Sequence, residues 1–292
     1  MPAPTDPRLA VADRALERAG ADGGPDESVV VREGLSLLVR RHDVVVRIRD
    51  RTQEPTAVRE VAVARALAAV GVAHTALVDP DAQPWAIEGS VVTAWRWTDP
   101  VRTAEPADLG SLVATMRART RRVAEAVPRF DPLAAAVEAV SHIPPGDDQG
   151  DFVRRRAREL APSWAAVTDD DPAGTSIVHG DLHRDNVVVG VDGPLLTDLE
   201  LAGSGPPSYD VAHAARAVER FAADLAGLES FIAVAGWDPR SWQGFAACVA
   251  VSELWGTAWA VGVRDRAPHL AAEATLRVEC LRDGATHTWH LL

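Results

Sequence analysis

Lysine is absent from this chain of 292 residues, and all 30 of its basic residues are arginine. Any task that needs a cationic side chain therefore falls to a planar, permanently charged fork rather than a compact ammonium. Cysteine is scarce: Cys248 and Cys280 lack a metal-type spacing and are too few for a disulfide framework, so both read as small buried hydrophobes. Positive charge is in deficit, with a net charge of −12, which argues against phosphate-backbone binding; no nucleic-acid partner is expected. No apolar run reaches the ~18 residues of a bilayer span. The start, MPAPTDPRLA, lacks the apolar centre of a signal peptide, so the expectation is a cytoplasmic protein with no membrane partner. What is present is ordinary for a globular chain, 47% hydrophobic and 25% charged, and the length suits two lobes of unequal size.

Residues 1–8 are Pro-rich and are expected to lack regular structure. A short helix is predicted over Leu9–Arg18. Apolar segments at Ser28–Glu33, Leu35–Arg40 and Val44–Arg49, with Gly34 and Arg41-His42-Asp43 between them, predict an antiparallel meander. Pro55 opens a helix from Thr56 to about Val70, and Thr75–Val78 and Ser90–Trp95 read as further strands. Beyond Thr98 the pattern turns helical, at Ala107–Arg122, Asp131–Val140 and Phe152–Ala165. From Ser176 it becomes strand, loop, strand, turn, strand, and from Tyr209 it is mostly helical again. The whole predicts an α+β fold with a small mixed sheet and one main helix in residues 1–97, and a mostly helical lobe in 98–292.

The polar stretch HGDLHRDN, His179 to Asn186, lies between two short apolar strands. Asp198 follows at the end of the strand Leu195–Thr197, and a hairpin turn at Asp192-Gly193 folds that strand back. This brings Asp198 close to Asn186. A carboxylate and an amide at adjacent strand ends offer the hard oxygens that Mg²⁺ prefers, and leave Asp181 to accept a proton from a hydroxyl. A zinc site on His179 and His183 is the weaker alternative, because HExxH and a third ligand are both missing.

HGDLHRDN resembles the catalytic loop of kinase-like phosphotransferases, and LTDLE resembles their metal-binding segment. The HGD form and GPPSYD resemble the aminoglycoside phosphotransferase and choline kinase branch. The resemblance is strong over about 176–214, collinear over 29–97 and thin elsewhere. It implies a bilobal protein-kinase-like fold and transfer of phosphate from ATP or GTP, with Mg²⁺, to a hydroxyl of a small molecule. It implies Asp181 as the base, Asn186, Asp198 and Glu200 as metal ligands, and His179, His183 and Asp210 as supports of the loop. It also requires a strand cation for the phosphates and a helix carboxylate to hold it. DVVVRIRD and AVREVAVARAL supply Arg47 and Glu60 in that order, with Arg49 on the same strand face as a competitor. The departures are arginine for lysine and a nucleotide loop with one glycine, VREGLSLLV, in which backbone near Gly34 and Ser36 would cover the phosphates. Thr93–Trp97 would form the hinge, with Trp95 or Trp97 against the base. Asp224 and Glu253 lie where this branch places acceptor-binding acids. The alternative reading is a nucleotide-binding module without turnover.

Overall fold

The computed structural model describes residues 6–290. Residues 1–5 of the Pro-rich start lie outside the described residues, while the rest of it is regular, contrary to expectation. The Asp6 carboxylate accepts the Arg8 N–H at 2.9 Å and caps α1 (Pro7–Arg18), with Pro7 at the opening position where a missing N–H costs nothing. A five-stranded sheet follows in the order β1-β2-β3-β5-β4: β1 (Val29–Glu33), β2 (Leu37–Arg41), β3 (Val44–Asp50), β4 (Trp85–Ile87) and β5 (Ser90–Arg96). Every pairing is antiparallel, which corrects the expected mixed sheet. The Thr75–Val78 segment is not a strand. It makes isolated bridges, His74 with Leu196 and Leu77 with Trp95, and so ties the sheet to the segment before Asp198. The fifth strand is β4, whose three residues are too few to show an alternation.

Strand alternation gives the sheet two unlike faces. Leu37, Val39, Val44, Val46 and Ile48 pack beneath Val11, Ala12, Ala15 and Leu16 of α1. On the other face the register aligns Val29 with Arg40, Arg40 with Val45, Leu38 with Arg47, and Arg47 with Thr93. Helix α2 (Glu54–Ala69) begins two residues before its predicted start and lays Val63, Ala64 and Leu67 into a second core, shared with Leu112, Met116, Tyr209 and Leu254. The helix that carries Glu60 is therefore anchored in the core of the larger lobe.

That lobe holds α3 (Pro106–Arg119), α4 (Pro132–Ala139), α5 (Asp148–Asp170), α6 (Ser208–Phe221), α7 (Leu225–Ala235), α8 (Phe245–Val263) and α9 (Pro268–Asp283). Helix α5 outruns its prediction at both ends; its start is earlier because Asp147, read as loop, accepts the Gly150 N–H at 2.8 Å and caps it. Helix α8, continued to Arg266, is by length and composition apolar enough to cross a membrane, which corrects the reading of the apolar runs; more than half of that stretch is buried inside the fold. Two small ribbons frame the polar loop: β6 (Ser176–Val178) with β9 (Gly203–Gly205), and β7 (Val187–Gly190) with β8 (Gly193–Leu196). The β7–β8 turn is Val191-Asp192, one residue earlier than expected, closed by the pair Gly190 and Gly193.

Candidate active site

The loop after β6 is shaped by one buried carboxylate and one glycine. Asp210, in the first turn of α6, accepts the N–H groups of His179 and Gly180, each at 2.9 Å. Gly180 has φ +83°, and a Cβ there would stand 2.5 Å from Phe130 Cε2, so the position needs glycine on both counts. His179 is fully buried: its Nδ1 receives the Asp181 N–H at 3.3 Å, and Nε2–H donates to the Thr197 carbonyl at 2.8 Å. Thr197 N–H in turn donates to the Asn186 carbonyl at 3.0 Å. One imidazole thus links the Asp181 backbone to the residue before Asp198, so the two halves of the motif are braced together.

Asn186 is buried, and its Nδ2 donates to the Asp181 carbonyl at 2.9 Å, which leaves Oδ1 as an unused acceptor. Asp181 lies between two imidazoles: His183 Nε2 is 3.6 Å from Oδ2, and His213 Nε2 is 3.6 Å from Oδ1. Burial alone would raise the Asp181 carboxyl. The His183 imidazole, through its hydrogen bond and its charge, and the charge of Arg216 beyond His213 outweigh it and hold the group below the usual carboxylate range. His183 also accepts the Asp185 N–H on Nδ1 at 3.3 Å, capping the short turn Arg184–Asn186. Burial opposes its proton, but Asp181 more than compensates and the imidazole titrates above its ordinary value.

Across the cleft, strand β3 presents Arg47 and Arg49 to three carboxylates. Arg47 Nη1 is 2.6 Å from Asp198 Oδ1 and 3.4 Å from both Glu60 Oε1 and Glu200 Oε2. Arg49 Nη1 is 2.9 Å from Glu60 Oε2, and its Nη2 is 3.2 Å from Glu200. Thr93 Oγ1 completes the network by donating to Glu60 at 3.3 Å and accepting from Trp95 Nε1 at 3.0 Å. The pairing expected for Arg47 is thus divided: Arg49 holds the helix carboxylate closely, and Arg47 reaches the aspartate of the LTDLE segment. Burial raises Glu200, and Asp198 beside it adds to the rise; Asp198 is held low, with Arg47 overriding its own burial. Among the described residues no cluster of three His, Cys, Asp or Glu side chains has the arrangement of a metal site. Asp198 and Glu200 offer carboxylate oxygens and Asn186 an amide oxygen, and all-oxygen donors of this kind are of the type that suits Mg²⁺.

The remaining predicted residues are dispersed. Gly34 and Ser36 sit at the exposed β1–β2 tip, where Gly34 N–H bonds the Ser36 carbonyl at 3.1 Å and a Cβ on Gly34 would meet nothing. The expected hinge begins later, because Thr93–Arg96 belong to β5. Trp95 is buried in the main core. Trp97 lies at the sheet edge, stacked under the Arg40 guanidinium at 4.5 Å, and lines an open cavity of 430 Å³ with Val29, Val31 and Arg40. That cavity is on the same sheet face as Arg47, and a second of 400 Å³ lies across the linker, between Pro100–Ala104 and Val187–Val188. His213 and Arg216 are site residues that the sequence reading did not find, and Thr93, read there as the start of the hinge, belongs to the Glu60 network. Asp224 and Glu253 leave the acceptor side: Asp224 caps α7 at an exposed position, and Glu253 is paired with Arg220.

The family model described as "Phosphotransferase enzyme family" matches residues 30–245, and the chain belongs to that family. It is a phosphotransferase of the small-molecule kinase type with a protein-kinase-like fold. No curated protein matches the sequence significantly. Among solved structures the fold is similar to amicoumacin kinase hAmiN in complex with AMP-PNP, Ca²⁺ and Ami, at 12% identity and TM-score 0.70, covering 97% of this chain and 98% of that one. It is also similar to a choline/ethanolamine kinase family protein from Mesorhizobium loti, at 18% identity and TM-score 0.60, over 94% of each chain. An aminoglycoside-3'-phosphotransferase of type VIII matches at 19% identity and TM-score 0.62, over 86% of this chain and 100% of that one.

Proposed function

We propose that the protein transfers the γ-phosphoryl group of ATP, with Mg²⁺, to the hydroxyl of a small molecule. The observation that carries this reading is the convergence of Asp181, Asn186 and Asp198 through His179 and Thr197, with Arg47 reaching the same carboxylate from the opposite lobe. The AMP-PNP bound by amicoumacin kinase favours ATP over GTP. The base sits in the cavity beside Trp97 and Arg40, under Val29, and the phosphates run toward Arg47. Asn186, Asp198 and Glu200 would hold the metal, which would supply neutralisation of the phosphate charge. In the transfer the acceptor oxygen forms a bond to the γ-phosphorus, the bond to the β-bridging oxygen breaks, ADP leaves, and the hydroxyl proton passes to Asp181. Arg47 faces the charge that grows on the leaving oxygens, and His183 keeps Asp181 ionised, with His213 packed against its other oxygen.

The test is Asp181→Asn. Turnover should fall by about 10²–10⁴-fold, the range of a lost general base, while nucleotide affinity stays within a factor of about two. Turnover unchanged in the folded variant rules the assignment out.

A further inference from the structure

Arg216, one turn beyond His213 on α6, is a buried charge with no carboxylate at ion-pair distance; its nearest negative neighbours, Asp181 and Glu253, act on it only through space. It is 7% exposed, and its fork is spent on neutral groups: Nη1 donates to the Ser252 carbonyl at 2.6 Å, and Nη2 to His213 Nε2 at 3.0 Å. Among the described residues it forms no ion pair, and the neighbouring carboxylate Glu253 is engaged by Arg220 instead. The Arg216 Nε–H is sealed and has no partner, as are the hydroxyls of Tyr209 and Ser252. Arg216 reaches the backbone of Ser252, and Tyr209 lies two turns before Arg216 on α6, where burial raises its phenol, the Arg216 charge opposes the rise and Asp181 and Asp210 add to it. Three groups able to donate, one of them cationic and none of them spent on a carboxylate, suit an anion.

The position ties this set to the chemistry. His213 Nε2 lies between Arg216, at 3.0 Å, and Asp181 Oδ1, at 3.6 Å. A single imidazole thus separates Arg216 from the carboxylate that faces the acceptor hydroxyl. His213 is neutral, since burial and the Arg216 charge both disfavour its proton, and rotation of its ring would release the guanidinium edge to a ligand. The acids that a polyamine acceptor would need are meanwhile occupied, Asp224 by α7 and Glu253 by Arg220. We propose that the acceptor carries an anionic group, a carboxylate or a phosphate monoester, a few bonds from its reacting hydroxyl, and that Arg216, Tyr209 and Ser252 bind it. The proposal rests on Asp181 facing the acceptor and narrows the substrate class from any hydroxyl compound to an anionic one.

The experiment first saturates the protein with AMP-PNP and Mg²⁺, which occupies the cleft arginines and reports nucleotide binding separately. Glycerate, glycerol 3-phosphate, glycerol and 3-amino-1,2-propanediol are then titrated and their affinities compared by ligand-observed NMR. One or both anions should bind at least about tenfold more tightly than glycerol, the increment of one charge-assisted hydrogen bond, and the amine should bind most weakly. The two anionic arms decide between carboxylate and phosphate. Arg216→Gln should erase the preference without changing AMP-PNP affinity, and Arg216→Lys should retain part of it. If Arg216→Gln does not fold, the wild-type ranking and the lysine variant decide. Equal affinities for all four probes, undetectable ones included, or a preference for the amine, or a preference that survives in folded Arg216→Gln, overturn the proposal. Absence of AMP-PNP binding would instead count against the kinase reading.

Discussion

Arg47 and Arg49 divide a task that one short ammonium performs where lysine is available. Arg49 is the more buried, and it holds Glu60 at 2.9 Å; Arg47 is the one aimed at Asp198. Arg49→Met should therefore act on stability. It leaves Glu60 buried with only the longer Arg47 contact and the Thr93 hydroxyl, and a loss of about 3 kcal/mol is expected in urea unfolding, the low end for breaking a buried pair. Arg47→Met should instead raise the KM for ATP by tenfold or more, about 1.4 kcal/mol of lost phosphate binding, with a smaller effect on unfolding. Steady-state kinetics on the two variants separates the roles, and equal KM values would refute the division. Asp181, Asn186 and Asp198 were legible because their spacing is set by local loop and hairpin geometry. Asn186 carries a further signal, being the only asparagine in the chain. A composition that sheds lysine and nearly all asparagine keeps one where an amide must offer both a donor and an acceptor. His213 and Arg216 were not legible: polar residues three apart on a helix look solvated until packing against α8 buries them.

Helices here are fastened by caps that the sequence disguised as loops. Asp147 accepts the Gly150 N–H and also binds Arg264, at 2.9 Å, beyond the end of α8. The Arg264 hydrogen bond pulls the Asp147 carboxyl down to about 2. The folded value is below the unfolded one, so the stabilisation is present above about pH 4 and is lost as pH falls through 2. Asp147→Ala should cost about 1 kcal/mol at pH 7, a typical N-cap loss, and the gap to wild type in thermal unfolding should narrow at pH 3. A gap independent of pH would exclude the ion-pair contribution. At the catalytic loop, Gly180→Ala should lower both the melting temperature and turnover, because the added methyl meets Phe130 and the left-handed backbone resists it. The missed strand β4 and the bridged Thr75–Val78 segment share one cause. Three or four residues carry too little periodicity, and which segment extends the sheet is decided by tertiary pairing.

At the scale of the molecule, the two cores are unequal and interlocked. The smaller lies between α1 and the sheet, while α2 and Trp95 belong to the larger one. The lobes also meet through Arg47 and Asp198 and through the bridge of His74 to Leu196. A nucleotide bound between them should therefore stabilise the whole chain. ATP with Mg²⁺ at about 100 times Kd supplies about 2.7 kcal/mol, and a rise of about 4 °C in Tm is expected for a protein of this size. Asp198→Ala should remove most of the Mg²⁺-dependent part of that rise, and an undiminished shift in this variant would dissociate Asp198 from the metal.

The arginines of β3 have one more consequence, for chemical labelling rather than catalysis. Acyl-phosphate nucleotides mark kinases by handing an acyl group to an amine in the nucleotide cleft. Here the groups proposed to meet the phosphates are guanidiniums, and no ε-amine exists anywhere in the sequence. Such reagents should bind the cleft reversibly and leave it unmarked, so amine-directed profiling would pass over an active enzyme.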